Sequence, residues 1–399
     1  MGDPSTKINN TLAADGGLKE GLSILAKAEW FQLQAFCDTA VYTNPTTDDS
    51  MRAMLKLANG AALNQDFKHT LKLYVDLKGY CNTFQDEIKA GTVDLANDIV
   101  HYARRVEVIY TRLLGLLVNY KVDGRVNEIK LQALVNEWGS ANPSEQGAAI
   151  QEQFRSYIEK LKTEADERST KASALQGKFK TFQSDLKQSG ADFSANYASY
   201  LTKYGEAEKE LTKLRGELGD LAKELEDARK KERDETIVLG TAPAYLLIPF
   251  FGPLIMAGVL LGVGIDFGLL REKIKAKIKK AEEEEKKANT AQTFFAAYTG
   301  AKHWTGKTAD DIKTMLPLVE KLKSAWHNLS SDLNDLSKIM GSARGNALND
   351  EWVFASADLE TGLDTWRELS EDAKKYRLFS NCKKVDTVDQ LAEGMQQAA

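Results

Sequence analysis

The stretch "TIVLGTAPAYLLIPFFGPLIMAGVLLGVGI" (Thr236–Ile265) contains no charged residue, although charged residues make up 28% of the chain. It lies between the charged flanks "ARKKERDE" and "DFGLLREKIKAKIKK". Apolar patches much larger than roughly a few hundred Å² promote association when they are left in water. The stretch must therefore be covered by protein or enter a membrane.

Prolines and glycines divide the stretch into two arms around "IPFFGPL". The first arm, Ile237–Ile248, has 12 residues and is interrupted by Gly240 and Pro243, and the second arm, Leu254–Leu270, has 17 residues. A helix needs about 20 residues to cross a bilayer core, so neither arm spans by itself. The pattern predicts a small apolar hairpin, as a β-tongue or as two helices, that inserts into a membrane conditionally. Buried core helices and a permanent transmembrane hairpin are the alternatives.

Transfer of the segment 236–270 into lipid is favourable. Its 18 Leu, Ile, Val and Phe residues contribute about −5 to −11 kcal/mol on an insertion scale. Asp266, near one end, opposes this by at most about 3 kcal/mol. The residues predicted to insert are Ile237, Val238, Leu239, Tyr245, Leu246, Leu247, Ile248, Phe250, Phe251, Leu254, Ile255, Met256, Val259, Leu260, Leu261, Val263, Ile265 and Phe267.

Two further patterns belong to this region. GxxxG spacings favour close helix packing in an apolar run, although a tight β-tongue or loop also uses such glycines: Gly258, Gly262, Gly264 and Gly268. The flank "REKIKAKIKK" is strongly basic and is predicted to contact anionic headgroups, although a solvated helix face has the same composition. The basic residues proposed for this contact are Arg271, Lys273, Lys275 and Lys277.

The rest of the chain has the helical period. Apolar residues recur at steps of three, four and seven positions, which predicts helices over about 18–42, 64–122, 126–138, 144–235, 270–298, 308–340 and 349–379. Ser144 is the predicted N-cap of the longest helix, and Asn349 or Asp350 that of the last one. The heptad-like later part of the longest helix needs a partner along its length. At about 1.5 Å per residue, a helix of about 90 residues measures on the order of 130 Å.

The predicted fold class is therefore all-α, an elongated multi-helix bundle (rod) of very long antiparallel helices with a small apolar head hairpin. Three regions follow: 1–235, the N-terminal helices and first long helix; 236–270, the hydrophobic insertion head; and 271–399, the return helix and C-terminal helices.

The net charge and the motifs of the sequence argue against an enzyme and against a nucleic-acid-binding protein. The net charge of −5 does not favour nucleic acid as a partner, and the sequence has no Gly-rich phosphate loop, GxSxG elbow or CxxC pair. We predict no catalytic residue, cofactor, metal site or small-molecule substrate. The N-terminus lacks a basic region followed by an apolar core, so we expect release without a recognisable secretory signal. The histidines form no ligand pair at i, i+4: His69, His101, His303 and His327.

The three cysteines do not make a disulfide framework. Cys37, Cys81 and Cys382 are interpreted as ordinary half-buried helix thiols. One bridge from Cys37 or Cys81 to Cys382 stays open if the protein is exported.

The order of elements resembles the α-helical pore-forming toxins of the cytolysin A superfamily. The likeness is closer to the haemolysin BL and non-haemolytic enterotoxin components, the α-xenorhabdolysin subunits and the rod-shaped insecticidal crystal proteins. Two N-terminal helices, a very long helix, the apolar hairpin, a return helix and C-terminal helices follow in that order along nearly the whole chain. "LKSAWHNLSSDLNDL" (322–336) and "DLETGLDTWRELSEDAKKY" (358–376) are similar to C-terminal helices of that group.

The resemblance implies a toxin subunit that is soluble when released and then oligomerises on a target-cell lipid membrane. Its partners would be further copies in a ring, other toxin subunits, or both. The competing interpretation is a structural coiled-coil tether or scaffold with a fixed membrane hairpin.

Overall fold

The computed structural model describes the chain in segments separated by gaps. The described residues are 18–26, 28–116, 121–122, 125–126, 133, 144–205, 213, 217, 220, 244–248, 252–256, 268–341, 366–374 and 383–385. The predicted helix over 126–138, the predicted caps Asn349 and Asp350, and Cys382 lie outside these residues, apart from residues 126 and 133.

Helices dominate the described residues, which confirms the all-α prediction. The helices are α1 (Leu18–Leu22), α2 (Ala28–Tyr42), α3 (Asp48–Met54), α4 (Gln65–Thr83), α5 (Ala90–Leu116), α6 (Glu145–Ala195), α7 (Tyr197–Tyr204), α8 (Gly268–Lys287), α9 (Thr290–Gly341) and α10 (366–374). A 3₁₀ turn (Ser23–Ala26) follows α1, and a π-helical segment (Phe84–Lys89) joins α4 to α5. Five short strands complete the set: β1 (Lys121–Val122), β2 (Arg125–Val126), β3 (Ala244–Ile248), β4 (Gly252–Met256) and β5 (Lys383–Val385).

Helix starts follow the local sequence. Ser144 Oγ accepts a hydrogen bond from the Gly147 amide at 3.0 Å, which confirms Ser144 as the N-cap of α6. Asn64 Oδ1 accepts from the Phe67 amide at 2.9 Å at the start of α4. Each cap satisfies an amide that has no partner within its helix.

One compact unit is formed by Met1–Ile24, Gly91–Gln176 and Pro317–Arg377. Its core holds Tyr102, whose ring centroid lies 5.1 Å from that of Trp326 and 5.0 Å from that of Trp366. The guanidinium of Arg168 lies over the rings of Tyr102 and Trp326, at 5.1 and 5.7 Å from their centroids. Its charge is paired with Glu164 at 3.3 Å, as a buried charge requires.

The second compact unit is formed by Leu25–Ala90, Gly177–Leu316 and Leu378–Ala399. Aromatic rings from α4, α6, α7 and α9 make its core. Phe294 is fully buried and lies 4.7 Å from Phe67, 5.3 Å from Tyr200 and 5.1 Å from Tyr204, between ring centroids. The return helix predicted over about 270–298 contributes Ile278, Ala281, Phe295 and Tyr298 to the buried residues of this unit.

The longest predicted helix is interrupted in the structure. We expected one helix over 144–235, but α6 ends at Ala195 and Asn196 has a non-helical backbone (φ −101°, ψ 0°) before α7 begins. Asn196 Nδ2 lies 2.9 Å from His69 Nε2 on α4, so a long-range contact accompanies the break. Most of the predicted remainder, 206–235, lies outside the described residues.

Beyond the break, α7 is fixed to the start of α4 through Asp66. The carboxylate of Asp66 accepts hydrogen bonds from Lys203 Nζ at 2.8 Å and from the Tyr204 hydroxyl at 2.9 Å. Partial burial acts to raise the pKa of Asp66, but these two donors outweigh it and hold the pKa below its usual value. Burial, together with the hydrogen bond to Asp66, raises the pKa of Tyr204 to about 12. The ionised carboxylate of Asp66 therefore holds α7 against the start of α4.

The C-terminal part also differs in its boundaries. The helix predicted over 308–340 is the end of α9, which begins at Thr290 and contains Pro317 in its interior. Only Ala288 and Asn289 separate α8 from α9. An interior proline removes one backbone hydrogen bond of a helix, and α9 nevertheless continues through Pro317.

The aromatic core of the second unit yields a stability prediction. Replacing Phe294 by Ala removes a fully buried ring and should lower the free energy of unfolding by about 3–5 kcal/mol. Urea denaturation of the purified variant measures this. Val75→Ala on α4 is the control, because Val75 is 44% exposed and its loss should change stability by no more than about 0.5 kcal/mol. Equal losses in the two variants would contradict the assignment of Phe294 to the core.

Candidate membrane-insertion site

Part of the uncharged stretch is an antiparallel strand pair. β3 and β4 pair in the register Ala244↔Met256, Tyr245↔Ile255, Leu246↔Leu254, Leu247↔Pro253 and Ile248↔Gly252. Aromatic and β-branched residues favour strands, which fits the composition of β3. This is a β arrangement of 244–248 and 252–256, whereas the role of the whole stretch 236–270 as an insertion head stays a prediction.

A third strand comes from near the end of the chain. β5 pairs with β3 in parallel, with Ala244 opposite Lys383, Tyr245 opposite Lys384 and Leu246 opposite Val385. The strand order β4–β3–β5 makes β3 the central strand and leaves β4 at an edge. An edge is where a strand tolerates proline, which explains how Pro253 is accommodated in β4.

Helix α2 lies against both strands, β4 and β3, in the same compact unit. The segment "WFQLQAFC" (30–37) has no charge between Glu29 and Asp38, and a helix that is apolar all round is buried. The buried apolar residues of α2 are accordingly Trp30, Phe31, Leu33, Ala35, Phe36, Cys37 and Ala40. The helical period predicted a helix over about 18–42 but not its place next to the strands. The uncharged segment 30–37 was the feature of the sequence that could have indicated a buried helix.

The structure describes part of the predicted insertion set. Tyr245, Leu246, Leu247 and Ile248 are in β3, and Leu254, Ile255 and Met256 are in β4. The remaining predicted insertion residues lie outside the described residues: Ile237, Val238, Leu239, Phe250, Phe251, Val259, Leu260, Leu261, Val263, Ile265 and Phe267. The same holds for Gly258, Gly262 and Gly264, whereas Gly268 begins α8.

The predicted headgroup residues all lie on α8. Lys273 is exposed, whereas Lys277 is half-buried and forms an ion pair with Glu217. The hydrogen bond from Lys277 lowers the pKa of Glu217. An ion-paired lysine has part of its charge already balanced, so Lys273 is better placed than Lys277 for a headgroup.

The described residues offer little for other kinds of site. Among them, no three His, Cys, Asp or Glu side chains come together as metal ligands. Of the helices in this described part, none combines the length and apolarity needed to cross a bilayer.

Solved structures with the same fold are toxin components. The HblL1 toxin component of Bacillus cereus superposes with a TM-score of 0.56 at 15% identity, over 91% of this chain and 96% of that one. SmhB of the tripartite α-pore-forming toxin of Serratia marcescens gives 0.58 at 11% identity, over 99% and 100%. AhlB of the tripartite α-pore-forming toxin of Aeromonas hydrophila gives 0.55 at 14% identity, over 96% and 99%. The chain has the fold of α-pore-forming toxin components.

This likeness confirms the resemblance drawn from the order of helices. No protein-family model matches the sequence, and no curated protein sequence matches it either. The relationship is therefore carried by the fold along nearly the whole length of the chain.

The pairing of β5 with β3 leads to a prediction about hydrogen exchange. A chain ending at Asn381 lacks β5, so amides of 244–248 that face it lose their partner and should exchange at least about tenfold faster. Hydrogen–deuterium exchange with mass spectrometry measures this. The matched control ends at Asp386 and keeps β5. Equal exchange of 244–248 in the two truncated chains would contradict the β3–β5 pairing.

Proposed function

We propose that the protein is a pore-forming toxin subunit that inserts the hairpin of 236–270 into a target-cell membrane. The observation that carries the proposal is an uncharged stretch of 30 residues within the fold of α-pore-forming toxin components. Such a stretch favours lipid by several kcal/mol, as estimated above from an insertion scale. The described helices offer no other element of comparable apolarity that could cross a bilayer.

Insertion requires the strands β3 and β4 to leave their present neighbours. β5 contains Lys383 and Lys384, and lysine is among the residues that the bilayer centre excludes most strongly. β5 therefore cannot accompany β3 into lipid, and the pairing between them must break first. A parallel pairing of three residues is short enough to be released.

The released strands cannot remain as they are inside a bilayer. Every backbone polar group must be satisfied within the hydrocarbon, so only helices and closed barrels span it. An isolated pair of five-residue strands leaves open edges and is too short, since a spanning strand needs about 9–11 residues. The segment must become helical, with added length from its flanks, or close with the strands of other copies.

This requirement supports assembly on the membrane. We propose a homo-oligomeric ring, other toxin subunits, or both as partners, because one copy of the segment cannot line a pore. The Serratia and Aeromonas proteins belong to tripartite toxins, which supports a system of several components. The proposed route is release as a folded protein followed by action at the target-cell membrane, with no cofactor or small-molecule substrate.

The alternative is a coiled-coil tether with a fixed membrane hairpin. It predicts a different behaviour during purification and with vesicles. A toxin subunit is purified without detergent and then permeabilises vesicles. A tether needs detergent from the start or leaves vesicles intact.

A charge in the hairpin should block insertion. Leu254→Asp in β4 should reduce dye release from liposomes at least about tenfold, because a charge near the bilayer centre costs about 2.5–3.5 kcal/mol. Phe251→Asp, at the predicted tip, is a second variant that avoids the strands next to α2. Val108→Asp is the matched control, because Val108 is an exposed residue of α5 and its change should leave release unaltered.

Thermal melts separate insertion from folding in this experiment. A melt within about 2 °C of the parent protein shows that the variant folds, since 1 kcal/mol shifts the melting temperature by a few degrees in a chain of this size. Full dye release by both hairpin variants would rule out the hairpin as the inserting element. The segment 18–42 would then be the next candidate.

A second prediction concerns whether the pure chain can form a pore, or only bind the membrane, without other subunits. If the protein acts within a multi-component toxin, the pure chain should co-sediment with liposomes yet release less than about a tenth of the trapped dye. Lipid binding needs only buried apolar area and charge, whereas a pore needs the complete assembly. Complete release by the pure chain from receptor-free liposomes would exclude an obligatory partner.

A further inference from the structure

The loop between α3 and α4 contains the one Asn–Gly pair of the sequence, Asn59 followed by Gly60. The Ala61 amide donates a hydrogen bond of 3.1 Å to the Ala58 carbonyl, so Asn59 and Gly60 are the two central residues of a turn. Both residues are exposed to solvent. The pair matters because an asparagine carboxamide and the backbone amide that follows it are able to react with each other.

Gly60 removes the steric barrier to this reaction. Its φ of 78° lies in the left-handed region that glycine adopts readily. Among the described residues, no heavy atom beyond its two chain neighbours lies within 4 Å of the place that a Cβ would occupy. A side chain at this position would shield the backbone nitrogen, whereas glycine leaves it open to the Asn59 carboxamide.

The two reacting groups are not engaged elsewhere. Within the part of the chain that the structure describes, the Gly60 amide and the Asn59 carboxamide make no hydrogen bond. Asn64 is the opposite case, because its Oδ1 accepts a hydrogen bond of 2.9 Å from the Phe67 amide. A carboxamide that is held as a helix cap does not turn toward the amide of the next residue. The same loop therefore contains one reactive asparagine and one protected asparagine.

We propose that Asn59 is a site of spontaneous deamidation in the folded protein, with water as the co-reactant. The Gly60 nitrogen loses its proton and attacks Cγ of Asn59. A bond forms between these two atoms, the bond from Cγ to the carboxamide nitrogen breaks, and that nitrogen takes up a proton and leaves as ammonia. Water then opens the cyclic succinimide at either carbonyl, which gives aspartate or isoaspartate. The net change is hydrolysis of an amide to an acid and ammonia, without oxidation or reduction.

The new carboxylate changes the charge of a loop that contacts the junction between α8 and α9. Lys56 Nζ donates a hydrogen bond of 3.2 Å to the carbonyl of Ala288 in that junction. Arg52 Nε donates a hydrogen bond of 2.8 Å to the carbonyl of Ala61, so a cation already contacts the turn. Each modified copy of the protein therefore carries one additional negative charge in this loop, and the isoaspartyl product also lengthens the main chain of the turn.

The experiment keeps the full folded chain at a mildly alkaline pH for days and follows its tryptic peptides. The peptide "LANGAALNQDFK" (57–68) contains both Asn59 and Asn64, so each digest includes its own control. Tandem mass spectra should show a gain of about 1 Da at Asn59, at a rate at least about tenfold that at Asn64. The rate at Asn59 should rise with pH, because the attacking nitrogen must lose its proton. A digest of the fresh protein corrects for deamidation during digestion.

The added charge gives a second measurement. On an anion-exchange column, the aged parent protein should develop a peak at the elution position of the variant Asn59→Asp. Asn59→Gln is the matched control and should develop no such peak on the same timescale, because its longer side chain must close a larger and less favourable ring.

The full chain unfolded in guanidinium chloride supplies the rate of the same reaction without the fold. We expect the folded and unfolded chains to deamidate at Asn59 with rates within about tenfold of each other, because the turn leaves both groups open. A folded chain that reacts more slowly than this would overturn the proposal. So would equal rates at Asn59 and Asn64 in the folded chain.

Discussion

The need to keep an uncharged stretch out of water constrains the rest of this structure. Strands β3 and β4 belong to that stretch. They pair with each other and lie against α2, and β3 also pairs with β5. The neighbours are drawn from both ends of the sequence. Helix α2 buries most of its apolar residues, and it lies in the same unit as the two strands.

The same unit contains a hydrophobic core of a different character. The rings around Phe294 join α4, α7 and α9, and Asp66 ties α7 to the first turn of α4. Edge-to-face and tilted aromatic contacts are directional, so they fix the angles between helices more firmly than aliphatic packing does. The apolar strands thus rest beside a framework whose helices are held by directional contacts and charge-assisted hydrogen bonds.

Periodicity predicted the helices and their buried seams, since a repeat of three or four residues depends only on local sequence. The caps at Ser144 and the burial of Ile278, Ala281 and Tyr298 followed from such signals. The break at Asn196 could not be predicted, because its contact with His69 spans 127 positions. The strand β5 was missed for the same reason, because its partner β3 lies about 140 positions earlier in the chain. The candidate site was therefore predicted as a stretch of sequence, while its neighbours required the fold.

The parallel pairing of β3 with β5 also orders events during synthesis. The residues of β3 leave the ribosome about 140 positions before those of β5, which is an interval of roughly 7–28 seconds at 5–20 residues per second. Helix α2 precedes β3 in the chain and can cover the strands first, whereas the second edge of β3 stays open until β5 has been synthesised. A nascent chain with an open apolar strand edge is prone to aggregate with other nascent chains that are synthesised on the same mRNA. The position of β5 about 140 residues after β3 thus makes a segment that is synthesised late the one that covers this edge of β3.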